Sequence, residues 1–312
     1  MKLLLPADAP FELAAPPGVE VVTYQPWQPI PEQHLDAEAA VVWGSRSPNL
    51  AQLAAAPQLR WVQTLAAGPD GVLAAGFAER VLITSGRGFH DRPVTEHALA
   101  LILAGLRLIP QCLDAQREHR WAGEFGGFRP LKSPDRLTSL IEAEVLIWGF
   151  GSIGQRLAPL LAQLGAHVRG VATTAGERGG FEVVDQAGLA EALGSTDVLV
   201  MVLPHSEGTW HALNADRLAL LRRTSWVVNV GRGSTIDEVA LVEALHAGRL
   251  GGAALDVTET EPLPADSPLW DAPNLILTPH LAGGRPLGAG RLIARNLAAF
   301  LAGEPLQNQV RG

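Results

Sequence analysis

At 312 residues the chain is long enough for two domains, and a hydrophobic share of 47% is ordinary for a globular protein. A net charge of -8 without a basic run argues against a nucleic-acid partner. The longest apolar runs fall short of the roughly 20 residues that span a bilayer, so a membrane role is not expected.

The opening residues, Met1-Lys-Leu-Leu-Leu-Pro6, read as a first strand rather than a signal peptide, because proline cuts the apolar run short. Strands are expected over 2–5, 19–24, 40–43, 60–64 and 81–84, with helices over 50–56 and 71–77. That alternation points to a parallel sheet with crossover helices. A long helix is expected over 94–109, apolar nearly all round and therefore buried. Cys112, the one cysteine, lies in the apolar stretch that follows. It excludes an internal disulfide, fits a reducing, cytoplasmic setting, and reads as a small buried hydrophobe. Residues 123–138 are rich in Gly, Pro and Arg and read as a loop. A second series follows, with strands at 145–148, 168–172, 197–203, 225–230, 252–257 and 275–278 and helices at 152–164, 238–247 and 291–302. Pro159 is expected to kink the first of these helices. The fold class is therefore α/β: two parallel-sheet domains of Rossmann or flavodoxin type, with the ligand expected in a cleft between them.

The turn Gly149-Phe-Gly-Ser-Ile-Gly154 follows a strand and opens a helix, the setting a dinucleotide fingerprint requires. Gly149 permits the tight turn, Gly151 lets the backbone approach a pyrophosphate, and Gly154 lets the helix pack close to the sheet. The amides of Ser152 and Ile153 then face the phosphate oxygens. At the end of the next strand an acidic residue would bind the adenosine ribose. Here the chain reads Val171-Ala-Thr-Thr-Ala-Gly-Glu-Arg178, with Ala172 in the acid's place. Thr173 and Thr174 can donate to a 2′-phosphate and Arg178 can approach it, so NADP is favoured over NAD.

Three later residues share one position, just past an apolar strand: Arg232, Glu261 and His280. A guanidinium holds a carboxylate in a fork and stays charged. An imidazole exchanges a proton near neutral pH, and a carboxylate on its far nitrogen sets the tautomer. Together they suit the reduction of a 2-keto acid by hydride. Amides of the Ala66-Ala67-Gly68 loop can help hold the substrate carboxylate, with Ala67 and Gly68 the donors. Arg46 and His90 are further substrate-side candidates, and Arg87 and Arg92 leave room for a phosphorylated substrate. His205 and His211 have no acidic residue near them in sequence and read as loop and helix-start residues.

Over nearly its whole length the chain resembles the D-isomer-specific 2-hydroxyacid dehydrogenases. The resemblance rests on Gly231-Arg-Gly-Ser-Thr-Ile-Asp-Glu238, Gly252-Ala-Ala-Leu-Asp-Val257, Glu261-Pro-Leu-Pro264, Thr278-Pro-His-Leu-Ala-Gly283 and Gly88-Phe-His-Asp-Arg-Pro-Val-Thr-Glu-His97. It implies that Arg232 holds the substrate, that His280 is the acid/base, and that Glu261 supports it. It places Asp256 at the nicotinamide end of the cofactor. Leu203, Pro204 and Thr209 fall beside the adenosine half, and Val230 and Gly283 complete the cofactor set. It also implies a discontinuous substrate domain, 1–97 with 285–312, a nucleotide domain at 98–284, hinge closure, and a homodimer formed through the nucleotide domain. Glyoxylate or hydroxypyruvate is the substrate it favours. Two alternatives share the scaffold. A formate or phosphite dehydrogenase is one, although formate enzymes of this type carry Gln where Glu261 stands. A dinucleotide-sensing, non-catalytic partner-binding protein is the other.

Overall fold

The computed structural model describes residues 1–43, 49–128, 130, 133 and 135–311. The chain forms two compact units, Met1–His90 with Gly284–Gly312, and Asp91–Gly283.

The first unit begins with β1 (Lys2–Pro6), β2 (Glu20–Tyr24), β3 (Ala39–Val42), α1 (Asn49–Ala54), β4 (Trp61–Thr64), α2 (Asp70–Ala74) and β5 (Leu82–Thr84). The five strands pair in parallel in the order β5-β4-β3-β1-β2. Every residue of β3 and β4 is buried, as expected of central strands covered on both faces. Side chains alternate between the two faces. Leu4, Ala40, Val42, Val62 and Ile83 join Leu50, Leu53 and Val72 in one core. Leu3, Leu5, Ala39, Val41 and Trp61 point the other way.

The second unit runs through α3 (Asp91–Leu106), α4 (Ile109–Arg117), β6 (Glu144–Trp148), α5 (Ser152–Gln163), β7 (His167–Val171), β8 (Gly176–Arg178) and β9 (Phe181–Val184). It continues with α6 (Leu189–Ser195), β10 (Val198–Met201), α7 (Ala215–Leu218), β11 (Trp226–Asn229), α8 (Glu238–His246), β12 (Gly252–Leu255) and β13 (Leu275–Leu277). The sheet order is β13-β12-β11-β10-β6-β7-β9-β8, parallel except that β8 runs antiparallel to β9. The order reverses at β6: β7 lies on one side and β10 on the other. Ligands of open α/β sheets bind at such a reversal, beyond the strands' carboxyl ends. The chain then returns to the first unit. There α9 (Ala289–Ala302) sets Ala289, Leu292, Ile293 and Leu297 against Leu3, Val41 and Trp61, and β14 (Gln309–Arg311) pairs antiparallel with β5.

Several expectations are corrected. The seams fall at 90/91 and 283/284, not 97/98 and 284/285. The first moves because α3 starts at Asp91 and buries Val94, Ala98, Leu101 and Ile102 in the second unit's core. Gly105 lets that helix approach β11, since a Cβ there would stand 2.4 Å from the Trp226 ring. The long helix ends at Leu106 rather than 109. Leu108 takes a left-handed φ of 59° and Pro110 occupies the first turn of α4, so the two helices meet at a 63° bend. The bend puts α4 on the surface with only Ala115 buried, and Cys112 is exposed, not buried. Pro159 sits inside α5, as its place in the sequence implies. No single helix among the described residues is long and apolar enough to cross a membrane. α3 and α4 pass that test only when joined across their bend.

Candidate active site

The glycine turn lies at the carboxyl end of β6, where the strand order reverses. Gly149 has φ 103°, and a Cβ on it would stand 2.6 Å from the Val202 carbonyl oxygen beyond β10, so only glycine fits. Gly154 packs α5 against Gly149 and Ile147, with 3.0 and 3.1 Å available to a Cβ. Gly151 differs, because a Cβ built on it meets nothing within 4 Å. Nothing among the described residues needs glycine at 151, whereas a pyrophosphate lying along the start of α5 would. Ser152 and Ile153 open that helix and present their amides there. The turn therefore fits a dinucleotide.

The hairpin of β8 and β9, absent from the sequence reading, carries Arg178 back toward this turn. Its guanidinium donates to the Thr174 hydroxyl (2.9 Å), to the Thr174 carbonyl (3.1 Å) and to the Phe150 carbonyl (3.4 Å). Ala172 closes β7 with its amide on the Val184 carbonyl, and Thr173 and Thr174 are exposed beyond it. A cation is thus held between the glycine turn and the residues just past β7.

Past β10, Leu203 is buried and the Thr209 hydroxyl folds back on the Pro204 carbonyl at 2.6 Å, which closes the 204–209 loop on itself. Val230 is buried at the end of β11 with its amide on Met201. Gly231 lies so close to Leu203 that a Cβ would come within 2.6 Å of its carbonyl oxygen. Buried Asn229 shapes the turn that follows: it accepts from the Gly231 amide (3.0 Å) and donates to the Arg232 carbonyl (3.0 Å). The Arg232 guanidinium donates to the Gly231 carbonyl at 2.9 Å.

Glu261 and His280 meet. The carboxylate Oε2 is 2.7 Å from imidazole Nδ1, and Oε1 accepts the Thr258 amide at 3.1 Å. With Nδ1 turned to a carboxylate, Nε2 is left as the nitrogen able to exchange a proton with a substrate. The His280 side chain is 47% exposed and that of Glu261 15%, so the pair is shielded on the acid side and open on the other. His280 has φ 52°, a left-handed conformation uncommon for a non-glycine residue.

Asp256 holds this stretch of backbone in place. It is 2% exposed, and its Oδ1 accepts from the Thr278 hydroxyl (2.6 Å) and the Leu281 amide (3.0 Å). Its Oδ2 accepts from the Ala282 amide (3.0 Å), and its carbonyl accepts from the His280 amide (2.8 Å). This residue braces the loop that Gly283 closes, a role the sequence did not disclose.

The loop carrying Arg232 and the loop carrying Glu261 interlock. A Cβ on Gly233 would fall 1.9 Å from the Thr258 carbonyl carbon. Glu238, the first residue of α8, accepts the Glu259 amide at 2.7 Å. Burial raises the Glu238 carboxyl above the usual carboxylate range, and the charges of Glu259 and Glu261 add to the rise; the Glu259 amide and His211 oppose it. His211, left without an acidic partner by the sequence, pairs with Glu259 from 48 residues away and stacks on Trp210. His205 bonds Ser234 beside Arg232's turn at 2.8 Å.

Of the substrate-side residues, Arg46 lies outside the described residues. In the first unit, the Ala66 amide is bonded to the Thr64 hydroxyl and the Ala66 carbonyl to the Gly86 amide, which shapes the loop through Ala67 and Gly68. His90 is buried beside Trp43 and Phe89, with Nε2 2.8 Å from the Leu65 carbonyl, so its ring braces that same loop.

Residues 99–282 match the family model described as the D-isomer specific 2-hydroxyacid dehydrogenase NAD binding domain. The chain is 32% identical over 278 residues to the D-3-phosphoglycerate dehydrogenase of Mycobacterium tuberculosis, a match covering 86% of this chain and 50% of that protein. It thus spans about half the length of the first curated relatives it matches. It is 31% identical over 282 residues to the glyoxylate reductase of Thermococcus onnurineus, covering 88% of this chain and 82% of that one. It superposes with a TM-score of 0.79 and 28% identity on the NADPH-dependent glyoxylate/hydroxypyruvate reductase of Sinorhizobium meliloti solved with NADP and sulfate, covering 99% of this chain and 97% of the other.

Proposed function

We propose that this chain, which belongs to the D-isomer specific 2-hydroxyacid dehydrogenase family, reduces a small 2-keto acid to the D-2-hydroxy acid, with NADP preferred over NAD. Gly149, Gly151, Ser152, Ile153 and Gly154 hold the pyrophosphate. Arg178 with Thr173 and Thr174 receives a 2′-phosphate, while Leu203, Pro204, Thr209, Val230, Asp256 and Gly283 frame the rest of the cofactor. When bound, the nicotinamide supplies the hydride. Arg232 draws the substrate carboxylate and carbonyl oxygen, and the Ala67 and Gly68 amides are proposed as further donors. His280 gives its Nε2 proton to the oxygen that becomes the hydroxyl, and Glu261 steadies the imidazolium before that step. The neutral ring then regains a proton from solvent through its exposed side.

The observation that carries this reading is the 2.7 Å Glu261–His280 pair on a left-handed backbone, in the unit that also bears the glycine turn. The glyoxylate and hydroxypyruvate reductases among its relatives support substrates of that size. A cytoplasmic homodimer through the second unit belongs to the same proposal, supported by apolar groups such as Trp121, 95% exposed, and checked by light scattering. The decisive assay follows loss of reduced nicotinamide absorbance over a panel of 2-keto acids. His280→Gln is expected to remove more than about nine-tenths of turnover while cofactor affinity stays within about threefold. Turnover retained by that variant overturns the assignment.

A further inference from the structure

His97 on α3 is 16% exposed and takes no part in the proton step proposed above. Its Nε2 lies 3.0 Å from the Thr278 hydroxyl and 3.2 Å from Asp256 Oδ1. The direction of these bonds follows from the donors available. The Thr278 hydroxyl gives its proton to Asp256, so toward His97 its oxygen is an acceptor. The carboxylate is an acceptor too. Nε2 of His97 must therefore carry hydrogen and donate.

Of the donors that reach the Asp256 carboxylate, Thr278, Leu281 and Ala282 belong to the His280 loop itself. His97 comes from another element, 181 residues from Thr278. Without it the other described donors to the buried carboxylate all come from the loop that it braces. With it the carboxylate and the loop are tied to a helix packed in the unit's core through Ala98, Leu101 and Ile102. A buried carboxylate that loses one of its donors becomes costly to keep charged. The cost falls on the bonds to Leu281 and Ala282 that enforce the left-handed backbone at His280.

We propose that His97 is a positioning residue that anchors the Asp256–Thr278 brace to α3 and so holds His280 in its left-handed conformation. The consequence for catalysis rests on the function proposed above; the brace itself does not.

The test compares His97→Leu, which removes the donor, with His97→Gln, whose side-chain amide can reach the same place. Hydrogen exchange on the ligand-free protein reads the brace directly. His97→Leu is expected to speed exchange at Leu281 and Ala282 by about tenfold or more, and His97→Gln by less than about threefold. In turnover, His97→Leu should lower kcat by about tenfold or more with the cofactor dissociation constant within about twofold, and His97→Gln should restore most of it. Unchanged exchange in His97→Leu, or equal acceleration in both variants, overturns the proposal. Should His97→Leu fail to fold, His97→Gln with fast exchange at Leu281 overturns it alone, and slow exchange there upholds it. If the wild type turned over no 2-keto acid while the exchange pattern held, the functional reading would fail and the brace would stand.

Discussion

At the scale of single residues, two charged side chains, Arg178 and Glu238, have surroundings that can be tested one at a time. Arg178 is held by Thr174 and Phe150, and the function proposed above gives it the 2′-phosphate. Replacing it with Ala should lower kcat/KM for NADPH by about tenfold or more and leave NADH within about twofold, since only the phosphorylated cofactor needs the cation. Equal losses with both cofactors would contradict the NADP reading. Glu238 offers a different check. Burial raises its carboxyl above the ordinary value of 4.5, so the folded state binds that proton more tightly than the unfolded chain does. The stability this gives is complete below the unfolded value and is lost as pH rises through the folded one. Glu238→Gln keeps an acceptor for the Glu259 amide and removes the ionisation. Its Tm relative to wild type should climb between pH 4 and pH 7 in thermal melts, and a flat or falling difference counts against the burial argument.

At the scale of elements, the glycines separate fold from ligand. The methyl of Gly151→Ala meets no atom of the described residues within 4 Å. Its Tm should stay within about 2 °C of wild type, because surface changes away from special backbone are nearly neutral. Its affinity for cofactor should fall by about tenfold or more, since the methyl stands where the pyrophosphate must approach. A variant that binds cofactor normally would show that the open side of Gly151 is not the phosphate cradle. Gly233→Ala is the converse. Its methyl would collide with the Thr258 backbone, so the loops bearing Arg232 and Glu261 would be pushed apart at a cost of about 1–3 kcal/mol. Denaturant midpoints and turnover should fall together.

At the scale of the whole molecule, connectivity matters more than any one contact. The second unit is one continuous stretch, whereas the first needs α9 to cover Leu3, Val41 and Trp61 and takes β14 onto the edge of β5. A fragment of residues 91–283 is expected to show cooperative melting and to bind NADPH by tryptophan fluorescence. A fragment of residues 1–90 should lack a cooperative transition, because one face of its sheet is stripped. Cooperative melting of that shorter fragment would show that the final helix is dispensable.

The alternation of apolar runs with helical segments, the glycine turn, and the strand-end positions of Arg232, Glu261 and His280 were all readable in the sequence. Each depends on residues within a few positions of one another, and local spacing is what a sequence displays. The break at Leu108 was not readable, since Pro110 is compatible with both a helix start and a helix stop. The exposure of Cys112 followed from that break. His97 with Asp256, His211 with Glu259, and Glu238 under the Glu261 loop came only with the folded chain. Those partners lie on helices and strand-end loops far apart in the chain, and their meeting is decided by the order and register in which β10, β11, β12 and β13 assemble, which no local pattern encodes. The residues of the candidate site were thus readable along the chain, while the bracing around Glu261 and His280 arose from the packing of distant elements.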